Sequence, residues 1–171
     1  MRIYKFGGAS VKDADNVKNV GHVLRTVGYS DSLLIASAMG KTTNALEVVV
    51  HNYFQNRFDL AESVQVVKDY HLAILHDLFT DSTHAVYQAV DHLFESLTSF
   101  LLNNKSPNYN FVYDQIVSYG ELLSTTILHH YLLCCNIENT WIDARNLIKT
   151  DTTYRDANVQ WESTEAAITQ A

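Results

Sequence analysis

The chain has 171 residues, of which 47 % are hydrophobic, with 1 proline and 6 glycines; that is enough to bury one domain-sized core and excludes a disordered or collagen-like polymer. Its 19 acidic and 12 basic residues give a formal charge of -7 without a long run of one sign, which excludes general attraction to nucleic acid or an anionic membrane, so any anion must be held locally. No apolar stretch suits a secretory leader or membrane span, and the adjacent Cys134 and Cys135 suit neither a disulfide framework nor a metal spacing, so a soluble cytoplasmic protein is expected.

Residues Arg2 to Phe6, short and rich in β-formers, stop at Gly7-Gly8 and read as a buried strand. Helical spacing of Val11, Val17, Val20, Val23, Leu24 and Val27 follows, with Ser10 as the expected N-cap and Asp13 three residues on. A second apolar strand, Leu33 to Ala36, leads through small residues into "KTTNALEVVVHNYF", a second helix. Two strand-to-helix units with continuously apolar strands predict a mainly parallel sheet covered on both faces, with function at the carboxyl ends of the strands. Segment 49–106 is helical in pattern; Leu72, Leu75 and Phe79, then Val86, Val90, Leu93 and Leu97, predict an antiparallel helical hairpin set apart as an insertion. After "KSPNYN" one long helix is expected over "FVYDQIVSYGELLSTTILHHYLLCC", with Gly120 marking close packing. "IENTWIDARNLI" reads as a third short strand and a short helix, "KTDTTYRDANV" as loop and "QWESTEAAITQ" as a closing helix.

Lys5 ends the first strand beside Gly7, Gly8, Ala9 and Ser10. A lysine neutralises a phosphoryl oxygen as a point charge while glycines let backbone amides approach it, although the same pattern also serves a plain strand-end turn. "SAMGKTTN" is not a Walker A loop, because Ile35 stands where that motif needs its first glycine. Ser37, Thr42 and Thr43 nevertheless offer hydroxyls at the second strand end, and Lys41 opposes the dipole of the helix it begins. Glu121 follows Gly120 in an apolar helix without a basic neighbour at helical spacing; buried, it would need a cation such as a substrate ammonium, and on a surface it would need nothing. The 8 histidines, among them His71, His76, His84, His92, His129 and His130, show no zinc spacing, so no metal site is expected.

Taken together, "KFGGASV", "SAMGKTTNALE", "SYGELLSTTIL" and "WIDARNLIKTDTTYRDANV" resemble the amino-terminal part of aspartate kinase, in the amino acid kinase superfamily. The resemblance extends over nearly the whole chain. It implies a three-layer α/β/α, carbamate kinase-like fold in partial form, with the nucleotide-binding half and regulatory ACT domains lying beyond residues 1–171, so that the chain is an isolated fragment expected to bind ligand weakly and not to turn over. It further implies that Lys5 contacts the transferred γ-phosphoryl of ATP, that Gly7, Gly8, Ala9 and Ser10 line the phosphate, and that Ser37, Thr43 and Glu121 bind L-aspartate, with Asp143 and Arg145 shaping the pocket. The implied reaction moves the ATP γ-phosphate to the β-carboxylate of aspartate, at the start of lysine, threonine and methionine synthesis, with Mg2+ on the nucleotide. Another amino acid kinase and a catalytically silent helical dimerisation module are the alternatives; self-association as a homo-oligomer is expected where core surface stays uncovered.

Overall fold

A computed structural model describes residues 1–55 and 57–170. Strand β1 (Arg2–Phe6) and strand β2 (Ser32–Ala36) pair in parallel, with Ile3 opposite Leu33 and Lys5 opposite Ile35. Helix α1 (Ala14–Val27) joins them as a crossover. Between β1 and α1 lies a short 3-10 turn, Gly8–Val11, so the helix begins later than the sequence suggests. Asp13, rather than Ser10, is its N-cap, its carboxylate accepting the Asn16 amide at 2.9 Å.

Alternation along the strands divides the sheet into unlike faces. Tyr4, Phe6, Leu34 and Ala36 belong to the core. On the opposite face Ile3, Leu33 and Ile35 remain 61, 44 and 47 % exposed, so among the described residues helices cover one side of the sheet only. The expected third strand is not found among the described residues: residues 137–143 join no ladder, and α7 (Ala144–Leu147) follows directly. A short apolar run becomes a strand only when a neighbour takes its backbone groups.

The remaining elements are α2 (Thr42–Phe54), α3 (Leu60–Leu78), α4 (Ala85–Asn103), α5 (Tyr109–Val117), α6 (Tyr119–Cys134) and α8 (Trp161–Gln170). Helices α3 and α4 run antiparallel, as Lys68–Asp91, His71–Phe94 and His76–Tyr87 contacts show. They are not set apart as a lobe, however: Val67, Ile74, Leu75, Val86, Val90, Phe94 and Leu97 share one buried cluster with Val17, Leu46 and Ile127. The long helix expected over residues 111–135 is broken at Ser118, whose hydroxyl bonds back to the Gln115 carbonyl at 3.1 Å, a competition that bends helices. Among the described residues no helix is long and apolar enough to cross a membrane.

Candidate active site

The carboxyl ends of β1 and β2 open into two turns that are bonded directly to each other. The Ser37 amide donates to the Phe6 carbonyl at 3.0 Å, and the Gly40 amide donates to the Gly8 carbonyl at 3.0 Å. A Cβ on Gly8 would fall 2.8 Å from the Ala38 carbonyl oxygen, so glycine is needed there for the turns to meet. Gly40 also has φ +52°, where a side chain is strained.

Lys5 projects from the uncovered sheet face, yet its ammonium turns toward the first bend: Nζ lies 3.4 Å from where a Cβ on Gly7 would be. Ala9 and Ser10 are exposed in the 3-10 turn, and the Ser10 amide is already given to the Gly7 carbonyl at 2.8 Å. Among the described residues, none of the ion pairs involves Lys5, Lys12 or Lys41. Lys5, Lys12 and Lys41 bring positive charge to the shelf at these strand ends on a protein of formal charge -7, with Asp13 near enough to Lys12 to feel its charge.

Helix α6 closes the other side. Gly120 sits so near the second turn that its Cβ would be 2.9 Å from Ala38 Cβ, 3.4 Å from Leu46 Cδ1 and 3.5 Å from Thr42 Cγ2. The close packing expected at this glycine is therefore present, and it brings Glu121 to the turn: the Ala38 amide donates to Glu121 Oε1 at 3.3 Å. Thr125 bonds back to the Glu121 carbonyl at 2.7 Å and receives the Trp141 indole N–H at 2.9 Å, tying residues after α6 to this helix. Ser37 and Thr43 are half-buried on the same turn and the first turn of α2. Lys41 is exposed at the α2 N-cap without a side-chain capping bond.

Asp143 and Arg145 pair with each other, Oδ2 to Nη2 at 2.6 Å, while Asp143 also caps α7. The Arg145 guanidinium holds the Asp143 carboxyl below the usual carboxylate range.

Two residues without a local sequence signal also shape the shelf. Tyr70 of α3 reaches Lys12 and Gly40, and the buried His71 faces Thr42; both look like ordinary hairpin positions until the chain folds. A cleft of about 800 Å³, lined by His92, His129, His130 and Trp141 among others, lies between α4 and α6 rather than at the strand ends. Among the described residues no three His, Cys, Asp or Glu side chains converge to hold a metal ion.

No protein-family model matches the chain. It is 30 % identical over 146 residues to aspartokinase 1, chloroplastic, of Arabidopsis thaliana, an alignment covering 83 % of this chain and 25 % of the relative. It is 26 % identical over 153 residues to the lysine-sensitive aspartokinase 3 of Escherichia coli, covering 87 % and 32 %. The chain thus spans about a quarter to a third of the length of these curated relatives. Among solved structures, E. coli aspartokinase III in complex with aspartate and ADP superposes with a TM-score of 0.81 at 21 % identity, covering 99 % of this chain and 37 % of that one. The aspartate kinase of Clostridium acetobutylicum gives 0.73 at 22 %, covering 99 % and 35 %. In sequence and in fold the chain is thus similar to aspartokinases, matching one part of those longer proteins.

Proposed function

We propose that the chain is the amino-terminal part of an aspartate kinase catalytic domain with the carbamate kinase-like amino acid kinase fold. Its strand-end shelf holds the phosphate of ATP and the substrate L-aspartate. The observation that carries this reading is the direct bonding of three separated motifs: the Gly7-Gly8 turn to the Ser37–Gly40 turn, and that turn to Glu121.

In this reading, a β-carboxylate oxygen of aspartate bonds to the γ-phosphorus as the bond from that phosphorus to ADP breaks, and ADP leaves with the electron pair. Two anions brought within about 4 Å repel by about 4 kcal/mol at an effective dielectric of 20. Lys5 offsets that repulsion as a point charge on the transferred phosphoryl, aided by the backbone of Gly7, Gly8 and Ala9. Glu121 is held to Ala38 through Oε1, which leaves its second oxygen to accept from the substrate ammonium. Ser37 and Thr43 supply hydroxyls beside it. Aspartate is already ionised, so positioning and charge neutralisation are the main tasks and no general base is required. Among the described residues no three His, Cys, Asp or Glu side chains converge, so Mg2+ would be held chiefly by the nucleotide's phosphates.

The rival reading, a silent dimerisation module built on the hairpin, is disfavoured because the apolar stripes of α3 and α4 are spent inside the shared core. Titration with ADP and, separately, L-aspartate, followed by amide NMR, tests the proposal. ADP should move Gly7, Gly8 and Ala9, and aspartate should move Ser37 and Glu121. Lys5→Ala should abolish the first response and Glu121→Gln the second. Wild-type amides that stay still with both ligands would refute it.

A further inference from the structure

We infer that Tyr70, buttressed by its neighbour His71, is a positioning residue through which α3 clamps the two strand-end turns into one cradle. The functional consequence rests on the ligand reading above, whereas the clamp itself does not.

The Tyr70 hydroxyl donates to the carbonyl of Lys12, the residue that closes the 3-10 turn after Gly8. The same oxygen occupies the space above Gly40, where a Cβ would lie only 2.5 Å away. One phenol oxygen therefore touches the end of the first turn and the apex of the second. Between them runs the bond from the Gly40 amide to the Gly8 carbonyl, 3.0 Å. With the two turns already in contact through Gly8 and Ala38, the hydroxyl blocks the direction in which Gly40 would lift away.

His71 points about 100° round the helix from Tyr70 and is fully buried. Its Nδ1 lies 2.7 Å from the Val67 carbonyl, which can only accept, so Nδ1 carries the proton and Nε2 is an acceptor. Nε2 faces Thr42 Oγ1 at 3.5 Å, and the Thr42 hydroxyl spends its one hydrogen on the Met39 carbonyl at 2.7 Å. Two acceptors thus meet without a proton between them, and the imidazole acts as a packed wedge behind the first turn of α2. Edge-on contacts with Tyr70 at 5.1 Å and Phe94 of α4 at 6.3 Å keep both aromatic groups from swinging. The helical hairpin, which carries none of the proposed ligand-binding residues, is in this way bonded to one turn and wedged behind the other.

Tyr70→Phe deletes a single oxygen and keeps the ring. In the ligand-free protein, amide exchange at Gly40 should quicken by about fivefold, the loss of roughly one hydrogen bond, while amides in the middle of α6 stay unchanged. In titrations, ADP affinity should fall by about fivefold and L-aspartate affinity should change less than about twofold, because Glu121 is anchored separately to Ala38; general destabilisation would not produce that split. A third arm is the coupling between sites: Gly40→Ala should cost less in the Tyr70→Phe background than alone, since the obstructing oxygen is gone. Unchanged Gly40 exchange together with additive costs would overturn the clamp. A wild-type protein that binds no ADP would instead remove the functional reading, with the exchange and coupling arms still deciding the clamp.

Discussion

Gly120→Ala separates local propensity from tertiary contact by the sign of its effect. In an isolated helix the change is favourable by about 1 kcal/mol, because glycine gives up more backbone freedom than alanine. In the folded protein the added carbon would lie 2.9 Å from Ala38 Cβ, well inside the ordinary separation of about 3.5–4.0 Å between carbons. Ala38 cannot rotate its methyl away, since that carbon is attached directly to the turn backbone, and the same residue's amide holds Glu121. Leu46 Cδ1 at 3.4 Å and Thr42 Cγ2 at 3.5 Å limit escape sideways. Overpacking of this kind costs about 1–3 kcal/mol, so after the gain in propensity the net expectation is a loss of up to about 2 kcal/mol, or up to about 6 °C in Tm for a chain of this size. Urea denaturation should show a lower midpoint with an unchanged slope, and adding Ala38→Gly should restore part of the loss. A Gly120→Ala protein more stable than wild type would refute the argument, because propensity would then outweigh the contact.

Burial holds the His71 imidazole down to about 4 from an ordinary value of 6.5. Unfolded chains therefore take up a proton between pH 6.5 and 4 that the folded protein refuses, so stability should fall by about 3 kcal/mol as pH drops through that window and level off below it. His71→Leu should make this limb shallower, leaving the share of His130, also lowered by burial; an equally steep limb in the variant would contradict the assignment. Trp141→Phe removes the indole bond to Thr125 and should cost about 0.5–1 kcal/mol in chemical denaturation, with a neutral result showing that water replaces it. Ile3→Thr with Ile35→Thr should leave stability within about 0.5 kcal/mol, because both side chains are largely exposed, yet reduce self-association in sedimentation velocity; an undiminished oligomer would exonerate the open sheet face.

Much of the architecture is visible in local pattern. The run Arg2–Phe6 against Gly7-Gly8, the valine spacing of α1 and the stripes of α3 and α4 each specify their element through one periodicity. Where two local signals compete, the reading slips. Ser10 and Asp13 are both capable caps, and the choice falls to Asp13 because Gly8–Val11 first forms a tighter turn. Ser118 lies inside a continuous apolar period, and only its hydroxyl's bond to Gln115 marks the break between α5 and α6. The stretch from Ile137 to Asp143 has strand-like residues but no partner strand among the described residues, and pairing is not a property of a single segment.

The candidate site divides along the same line. Residue chemistry alone singles out Lys5 beside a glycine turn, hydroxyls at Ser37 and Thr43, and an unpaired glutamate at 121, because charge, hydrogen-bonding capacity and steric permissiveness are carried by each residue wherever it goes. Contact between those groups is a matter of the packed chain: Gly8 against Ala38, Ala38 against Gly120 and Glu121, and Tyr70 across Lys12 and Gly40 join positions far apart in sequence. Such meetings depend on how buried faces pack and how helix ends approach, which no window of neighbouring residues contains.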